Sequence, residues 1–323
     1  MENGALVISL DFELLWGVFD KVDYKVKETY FLNTRKLIPQ ILELFTEYNI
    51  HCTWATVGML FNKNWEEWNS NFPPTLPGYC NQELSAFSYG KNIESAETEM
   101  LTFAPQLISL ISKTSGQEIG SHTYSHYYCL EEGQTLATFK ADLEKAIELA
   151  KRMGIELKSL VFPRNQFNEE YLKVCYDLGI VNVRSNPTDW YWKDTQNYSL
   201  KNKIFRTGDA YIGPENKSYK LTDLNVEIGK PLSQKASRLL RPYSSIKFFN
   251  DLKLKRIKSE MTAAAKNNEI YHLWWHPHNF GNNPEENIDD LKELLQHYKK
   301  CNLKYKFDSL NMAEVGVFKI IEN

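Results

Sequence analysis

The 323-residue chain is short of the features that would place it in several large protein classes. Its five cysteines, Cys52, Cys80, Cys129, Cys175 and Cys301, are odd in number and show no CxxC spacing. Reduced thiols are therefore expected, not a disulfide framework. No run reaches the roughly 18 consecutive apolar residues that a membrane span needs. The opening MENGALVISLDFELLWG has neither a basic leader nor a long apolar segment, so no secretory signal is expected. Charge of one sign is also missing: the net charge is −3, which gives no reason to expect nucleic acid as a partner. No internal repeat is visible. What is present is 42% hydrophobic and 13% aromatic content, which suits a globular chain able to bury a sizeable core. These features together lead us to expect a soluble, cytoplasmic protein.

Short apolar runs alternate with helical periodicity. ALVISLDFE, HCTWATVG, GQEIGSHT, LKSLVFPRN, IVNVRSN and EIYHLWWHPH read as strands. TRKLIPQILELFTEYN, EMLTFAPQLISLISKT (broken near Pro105), TLATFKADLEKAIELAKRMG with a stop at Gly154, and EEYLKVCYDLG read as helices. Strands alternating with helices imply parallel βαβ units, in a barrel or an open sheet. Two stretches break the alternation, one near 60–98 rich in Trp, Asn and Pro, the other a long polar segment near 186–262. Both are expected to be insertions in a single domain spanning 1–323.

The polar residues at the strand ends carry the chemistry. Asp11 and Glu13 close an apolar run two residues apart, so on a strand they face one side. Acids beside a hydrophobic strand are costly to bury without a metal or hydrogen bonds, although solvated acids in a loop would look the same. The chain has seven histidines, and two of them, His122 and His126, stand four apart in GSHTYSH. On a helical turn their rings would share a face and reach one ion, yet a lone HxxxH also occurs on ordinary helix surfaces. Two imidazoles and a carboxylate form a recognised ligand set for catalytic zinc and related divalent ions.

SLDFE, GSHTYSH, VFPRNQ and LWWHPHN, in that order, resemble the motifs of the polysaccharide deacetylase family, the NodB-homology or carbohydrate esterase 4 group. The resemblance covers about residues 5 to 280, and His122-Thr123-Tyr124-Ser125-His126 is its most specific part. It implies a distorted, TIM-like (β/α) barrel, expected here with seven strands, and removal of N-acetyl groups from sugars with a divalent metal. By the same resemblance Glu13, His122 and His126 would hold the ion, most simply Zn2+, with Co2+, Ni2+ or Mn2+ as alternatives. Asp11 would be the general base. The family's proton-donating histidine corresponds to His276 or His278, of which His276 is favoured because it directly follows LWW. Arg164 would pair with Asp11 and orient it. The family's usual adjacent aspartates are here Asp11-Phe12-Glu13, and its Arg-x-Pro is here Pro163-Arg164. Asp189 and Trp190 look like a reduced form of a cleft-wall motif. Trp190, Trp192, Trp274 and Trp275 are candidate sugar platforms, with Asn165 and His278 as further substrate contacts, while any single tryptophan is as readily explained by core packing.

Residues 230–258 hold nine Lys or Arg against one acid, Asp251. Such a face can meet anionic lipid or a phosphate-bearing substrate, or be balanced by acids elsewhere in the fold. The expected function is N-deacetylation of an amino sugar, on a lipid or nucleotide carrier, during assembly of a bacterial surface glycan such as O-antigen or capsule. Alternatives are a same-fold hydrolase of a formamido sugar or an allantoin-type ureide, and an inactive barrel that only binds glycan.

Overall fold

The computed structural model describes residues 3–187, 189–193, 199–211 and 216–321. Among the described residues, nine strands build one parallel sheet: β1 (Ala5–Phe12), β2 (Cys52–Thr56), β3 (Gln117–Ser121), β4 (Ser159–Val161), β5 (Asn182–Ser185), β6 (Leu232–Lys235), β7 (Arg238–Leu239), β8 (Ile270–Trp275) and β9 (Asp308–Leu310). Their order is β6-β5-β4-β3-β2-β1-β8-β7, and β9 joins β1. Only Ala236 and Ser237 separate β6 from β7. The Ala236 N–H bonds to the Ser185 carbonyl on β5 at 2.9 Å, and the Ser237 N–H to the His272 carbonyl on β8 at 2.8 Å. That one run of chain therefore bridges the two edges and closes the sheet into a ring of seven strand positions, as expected. The ring is distorted, because β3 and β4 meet at a single pair, Ser121 with Leu160.

The β1 sequence shows why the sheet is buried on both faces. Leu6, Ile8, Leu10 and Phe12 enter the large apolar cluster between sheet and helices. Ala5 and Val7 turn inward to a second cluster with Ala55, Val161, Met312 and Val315, so the last helix, Met312–Ile321, packs against one end of the barrel. Above Val7, the inward positions of β1 are Ser9 and Asp11, and the interior becomes polar toward the carboxyl ends of the strands. Long amphipathic helices cover the outside. Glu28–Tyr48 ends at Asn49 in the left-handed conformation. Leu136–Arg152 starts from a Thr135–Thr138 capping box.

The two expected insertions differ from each other. Residues near 60–98 form short helices, Trp65–Ser70 and Ala86–Ile93, whose Trp65 and Trp68 pack on Trp16. The stretch 186–262, by contrast, supplies β6, β7 and most of the helix Lys247–Asn267, so it completes the barrel instead of decorating it. Residues 188, 194–198 and 212–215 of it lie outside the described residues. Its strands are hard to read in sequence because their buried side chains are polar. Gln234 donates to Asn182 at 3.0 Å, and Arg238 is buried on Glu260.

Six of the nine cations of residues 230–258 are engaged with acids of the fold: Lys230 with Glu227, Arg238 and Arg256 with Glu260, Lys247 with Asp251, Lys253 with Asp290, and Lys258 with Glu293. Among the described residues, no helix is long and apolar enough to cross a membrane. All five cysteines are unbridged.

Candidate active site

Asp11 is the last residue but one of β1, and Glu13 directly follows the strand. His122 follows β3, Arg164 and Asn165 follow β4, Arg184 lies on β5, and His276 and His278 follow β8. All stand at the carboxyl end of a parallel barrel, where strand ends and the loops beyond them converge. A cavity of about 280 Å³ opens there, lined by Asp11, Glu13, His122, His126, Arg164, Asn165, Trp274, His276 and His278 among others.

The loop carrying the two histidines is not helical. Thr123 and His126 both have positive φ, 63° and 54°, so the four-residue spacing works through a folded loop and not through a helix face. Asp142, from the helix behind it, accepts from the Tyr124 N–H at 2.7 Å and from the Ser125 N–H and hydroxyl. Burial nevertheless pushes the Asp142 carboxyl up to about 7. The Thr123 hydroxyl accepts from the Tyr127 N–H at 2.7 Å. Leu14, Arg164 and Asn165 also have positive φ, which concentrates backbone strain around this cavity.

Glu13 Oε2 lies 3.2 Å from His122 Nε2 and 3.1 Å from His126 Nε2, and all three side chains are buried. These three are the group of potential ligand atoms, among the described residues, that lie within 4.8 Å of one another. His122 Nδ1 lies 2.8 Å from the Val161 carbonyl, which can only accept, so the ring proton sits on Nδ1. Nε2 of His122 is thereby turned to the Glu13 carboxylate. Oε2 itself is buried without a hydrogen-bond partner; the two ring nitrogens are near it but supply no properly directed N–H. Burial lowers the His126 imidazole to about 4. Burial alone would raise the Glu13 carboxyl, but His276, His126 and His122 hold it well below the usual range. A buried carboxylate oxygen converging with two imidazole Nε2 atoms is a donor set that a divalent cation would satisfy, and the backbone carbonyl on His122 is the outer contact that metal-bound histidines commonly have. Gly17 completes the cradle: a Cβ there would lie 1.9 Å from Glu13 Cδ.

Asp11 lies beside this group on the partner that sequence reading missed. Arg184 donates Nη1 to Oδ1 at 2.7 Å and Nη2 to Oδ2 at 2.8 Å, a two-pronged buried pair. Burial would raise the Asp11 carboxyl, but Arg184 with His276 and His122 brings it below its usual value. Arg184 Nη1 also donates to Ser9 Oγ, which contacts His272 Nε2 at 2.9 Å, and the guanidinium lies over the Trp274 ring at 4.2 Å. The sequence signal was an arginine in IVNVRSN, a strand otherwise built to be buried, which had to find an anion.

Arg164, expected to pair with Asp11, instead bonds to Asp20 and lies near Glu131, its guanidinium over the Tyr128 ring. Its backbone, at φ 53°, turns away from the strand, and the arginine position facing Asp11 is filled from β5. Two tryptophan expectations are also corrected. Trp275 is fully buried on the outer side of β8 against Phe280 and Phe45, because successive residues of a strand face opposite ways and Trp274 takes the cavity side. Trp190 is 49% exposed and packs on Phe205, with Lys201 over its ring; it does not line the cavity. Trp192 does not line it either, and Asp189 pairs with Lys217 at 2.6 Å. Asn165 and His278 are where the sequence placed them, on the cavity wall.

Comparison with known proteins follows the same lines. No curated protein matches the chain. Among solved structures, a protein assigned as a polysaccharide deacetylase from Mycobacterium smegmatis superposes with a TM-score of 0.62 at 13% identity, over 100% of this chain and 92% of that one. One from Pseudomonas aeruginosa PAO1, assigned likewise, gives 0.58 at 10% identity, over 99% and 90%. The PuuE allantoinase gives 0.56 at 11% identity, over 97% and 88%. At such identities these likenesses speak to the fold. The polysaccharide deacetylase family model matches residues 18–183, more than half of the chain, and takes in the histidine loop and the strands around it. By that match, on a barrel of the same architecture, the chain belongs to the polysaccharide deacetylase family.

Proposed function

We propose that the protein is a divalent-metal-dependent hydrolase that removes an acetyl group from the nitrogen of an amino sugar, with Glu13, His122 and His126 holding the ion. The observation that carries this reading is the buried meeting of Glu13 Oε2 with two imidazole Nε2 atoms at 3.2 and 3.1 Å. The donor set suits Zn2+ best, with Co2+, Ni2+ and Mn2+ as alternatives. An ion bound there would supply Lewis-acid charge to the acyl carbonyl and bring the pKa of a water toward neutrality. Asp11, kept ionised and oriented by Arg184, accepts the proton of the attacking water as general base. His276 donates a proton to the departing nitrogen: its Nε2 lies 3.5 Å from Asp11 Oδ2, and at 26% side-chain exposure it is open to the cavity. Trp274 and Asn165 wall the cavity where the sugar would rest.

For the natural substrate we favour an amino sugar carried on a nucleotide or a lipid diphosphate, processed in the cytoplasm during surface-glycan assembly. The unbridged cysteines support that compartment. The 230–258 segment lends the membrane little support, since most of its cations are paired to acids of the fold.

The test is acetate release from a panel of free, nucleotide-linked and lipid-linked N-acetylhexosamines by zinc-loaded protein. Expected is release that stops on chelation and returns with zinc. Metal-loaded protein that yields no acetate, formate or ring-opened product would point instead to a barrel that only binds glycan.

A further inference from the structure

The two oxygens of Glu13 face different neighbours. Oε2 is turned to His122 and His126, whereas Oε1 lies 3.6 Å from His278 Nδ1 and 3.8 Å from His276 Nε2. His278 differs from His276 in being buried, 3% against 26% side-chain exposure, so it is poorly placed to exchange protons with a substrate group. Its Nδ1 has no hydrogen-bond partner, which is unusual for a buried ring nitrogen. The ring is held in place by its surroundings. It follows Pro277 at the start of the turn Pro277–Asn282, packs against Tyr30 at 5.8 Å, and lies 5.2 Å from the His276 ring. Of the groups around Nδ1 that these contacts define, Glu13 Oε1 is the acceptor, and a shift of about half an ångström would bring the pair to hydrogen-bond length.

We propose that His278 is a positioning residue that holds Glu13 Oε1 through its Nδ1–H, so that the carboxylate offers only Oε2 to the ion. The proposal rests on the metal-binding reading above and deepens it. A carboxylate free to turn could present both oxygens and fill a coordination position that the substrate carbonyl requires; a fixed Oε1 prevents this and leaves the site open. His278 thereby acts on the ion through Glu13, and not on the sugar.

The experiment is calorimetric titration of Zn2+ into metal-free wild type, His278→Leu, His278→Asn and His276→Ala. Leucine and asparagine have nearly the same shape, but asparagine keeps an N–H donor close to the Nδ1 position. His278→Leu is expected to weaken Zn2+ binding about 10- to 100-fold, the usual effect of losing an outer partner of a ligand, with His278→Asn recovering most of it. His276→Ala keeps the His278 contact and should lose less Zn2+ affinity than His278→Leu does. Wild-type affinity in His278→Leu, or equal loss in the leucine and asparagine variants, would overturn the proposal while leaving the ion site standing. A wild type that takes up no Zn2+, Co2+, Ni2+ or Mn2+ would overturn the metal reading itself. Should His278→Leu not fold, by circular dichroism, His278→Ala takes its place beside His278→Asn: weaker binding in alanine than in asparagine is expected, and equal binding in the two would overturn the proposal.

Discussion

Arg184 grips Asp11 with both ends of its guanidinium, Nη1 to Oδ1 at 2.7 Å and Nη2 to Oδ2 at 2.8 Å, between strands that are not neighbours in the sheet. The pair fixes the carboxylate plane and keeps it charged in a buried place. Arg184→Lys retains the charge but not the fork, so less of the downward pull on the Asp11 pKa survives. The basic form of Asp11 is then lost at a higher pH, and the acid limb of the pH–rate profile should move upward. Arg164→Ala, which touches Asp20 and not Asp11, should leave that limb where it is. Identical shifts in the two variants would remove Arg184 from this role.

Asp11→Asn should separate ion binding from turnover. The ligand group is Glu13, His122 and His126, so zinc content by atomic absorption should match wild type. Acetate release should fall about 10²- to 10⁴-fold, the range for losing a general base. Turnover near the wild-type rate would exclude Asp11 as the base.

Gly17→Ala offers a way to disturb the ion site without touching a ligand. A methyl at this position would lie 1.9 Å from Glu13 Cδ and 2.0 Å from Oε1, so the carboxylate has to move. Zinc content should drop toward that of Glu13→Gln and His122→Ala, with near-native circular dichroism. Full zinc occupancy in Gly17→Ala would mean that Glu13 is not held where the structure has it.

His272 predicts a pH dependence of stability. Burial, with help from the nearby Arg184 charge, lowers its pKa to about 3, against roughly 6.5 for an unfolded histidine. The unfolded chain therefore binds a proton below pH 6.5 that the folded chain refuses. Its contribution to stability is complete above pH 6.5 and is lost as pH falls toward 3, at up to about 1.4 kcal/mol per pH unit. In denaturant titrations between pH 4 and 7, His272→Gln should show a shallower acid loss than wild type. Parallel pH curves would argue against a neutral buried His272.

Much of this protein was legible in the sequence. The alternation of buried strands and amphipathic helices implied parallel βαβ units, because side-chain periodicity is local and survives without coordinates, and the resemblance to the deacetylase family implied the barrel over an open sheet. Asp11, Glu13, His122 and His126 could be picked out because they lie at or just beyond strand ends and are residue types that do acid–base or ligand chemistry, and His276 and His278 because the family resemblance implies a histidine there. β6 and β7 were hidden: four- and two-residue strands with buried Gln234 and Arg238 carry no apolar pattern, and their partners, Asn182 and Glu260, lie on other elements. The orienting arginine was misassigned for a related reason. Arg164 follows one barrel strand and Arg184 lies near the end of the next, and nothing local says which side chain points inward.

By itself, then, the sequence determined which residues can do chemistry and which elements carry them, since hydrophobic period and side-chain type are properties of short stretches. Only the tertiary structure decided who meets whom: that Arg184 and not Arg164 faces Asp11, that Trp274 and not Trp275 walls the cavity, and that the two oxygens of Glu13 have different neighbours. Those choices depend on the closure of the ring and on backbone turns at single residues, which bring together atoms more than a hundred positions apart.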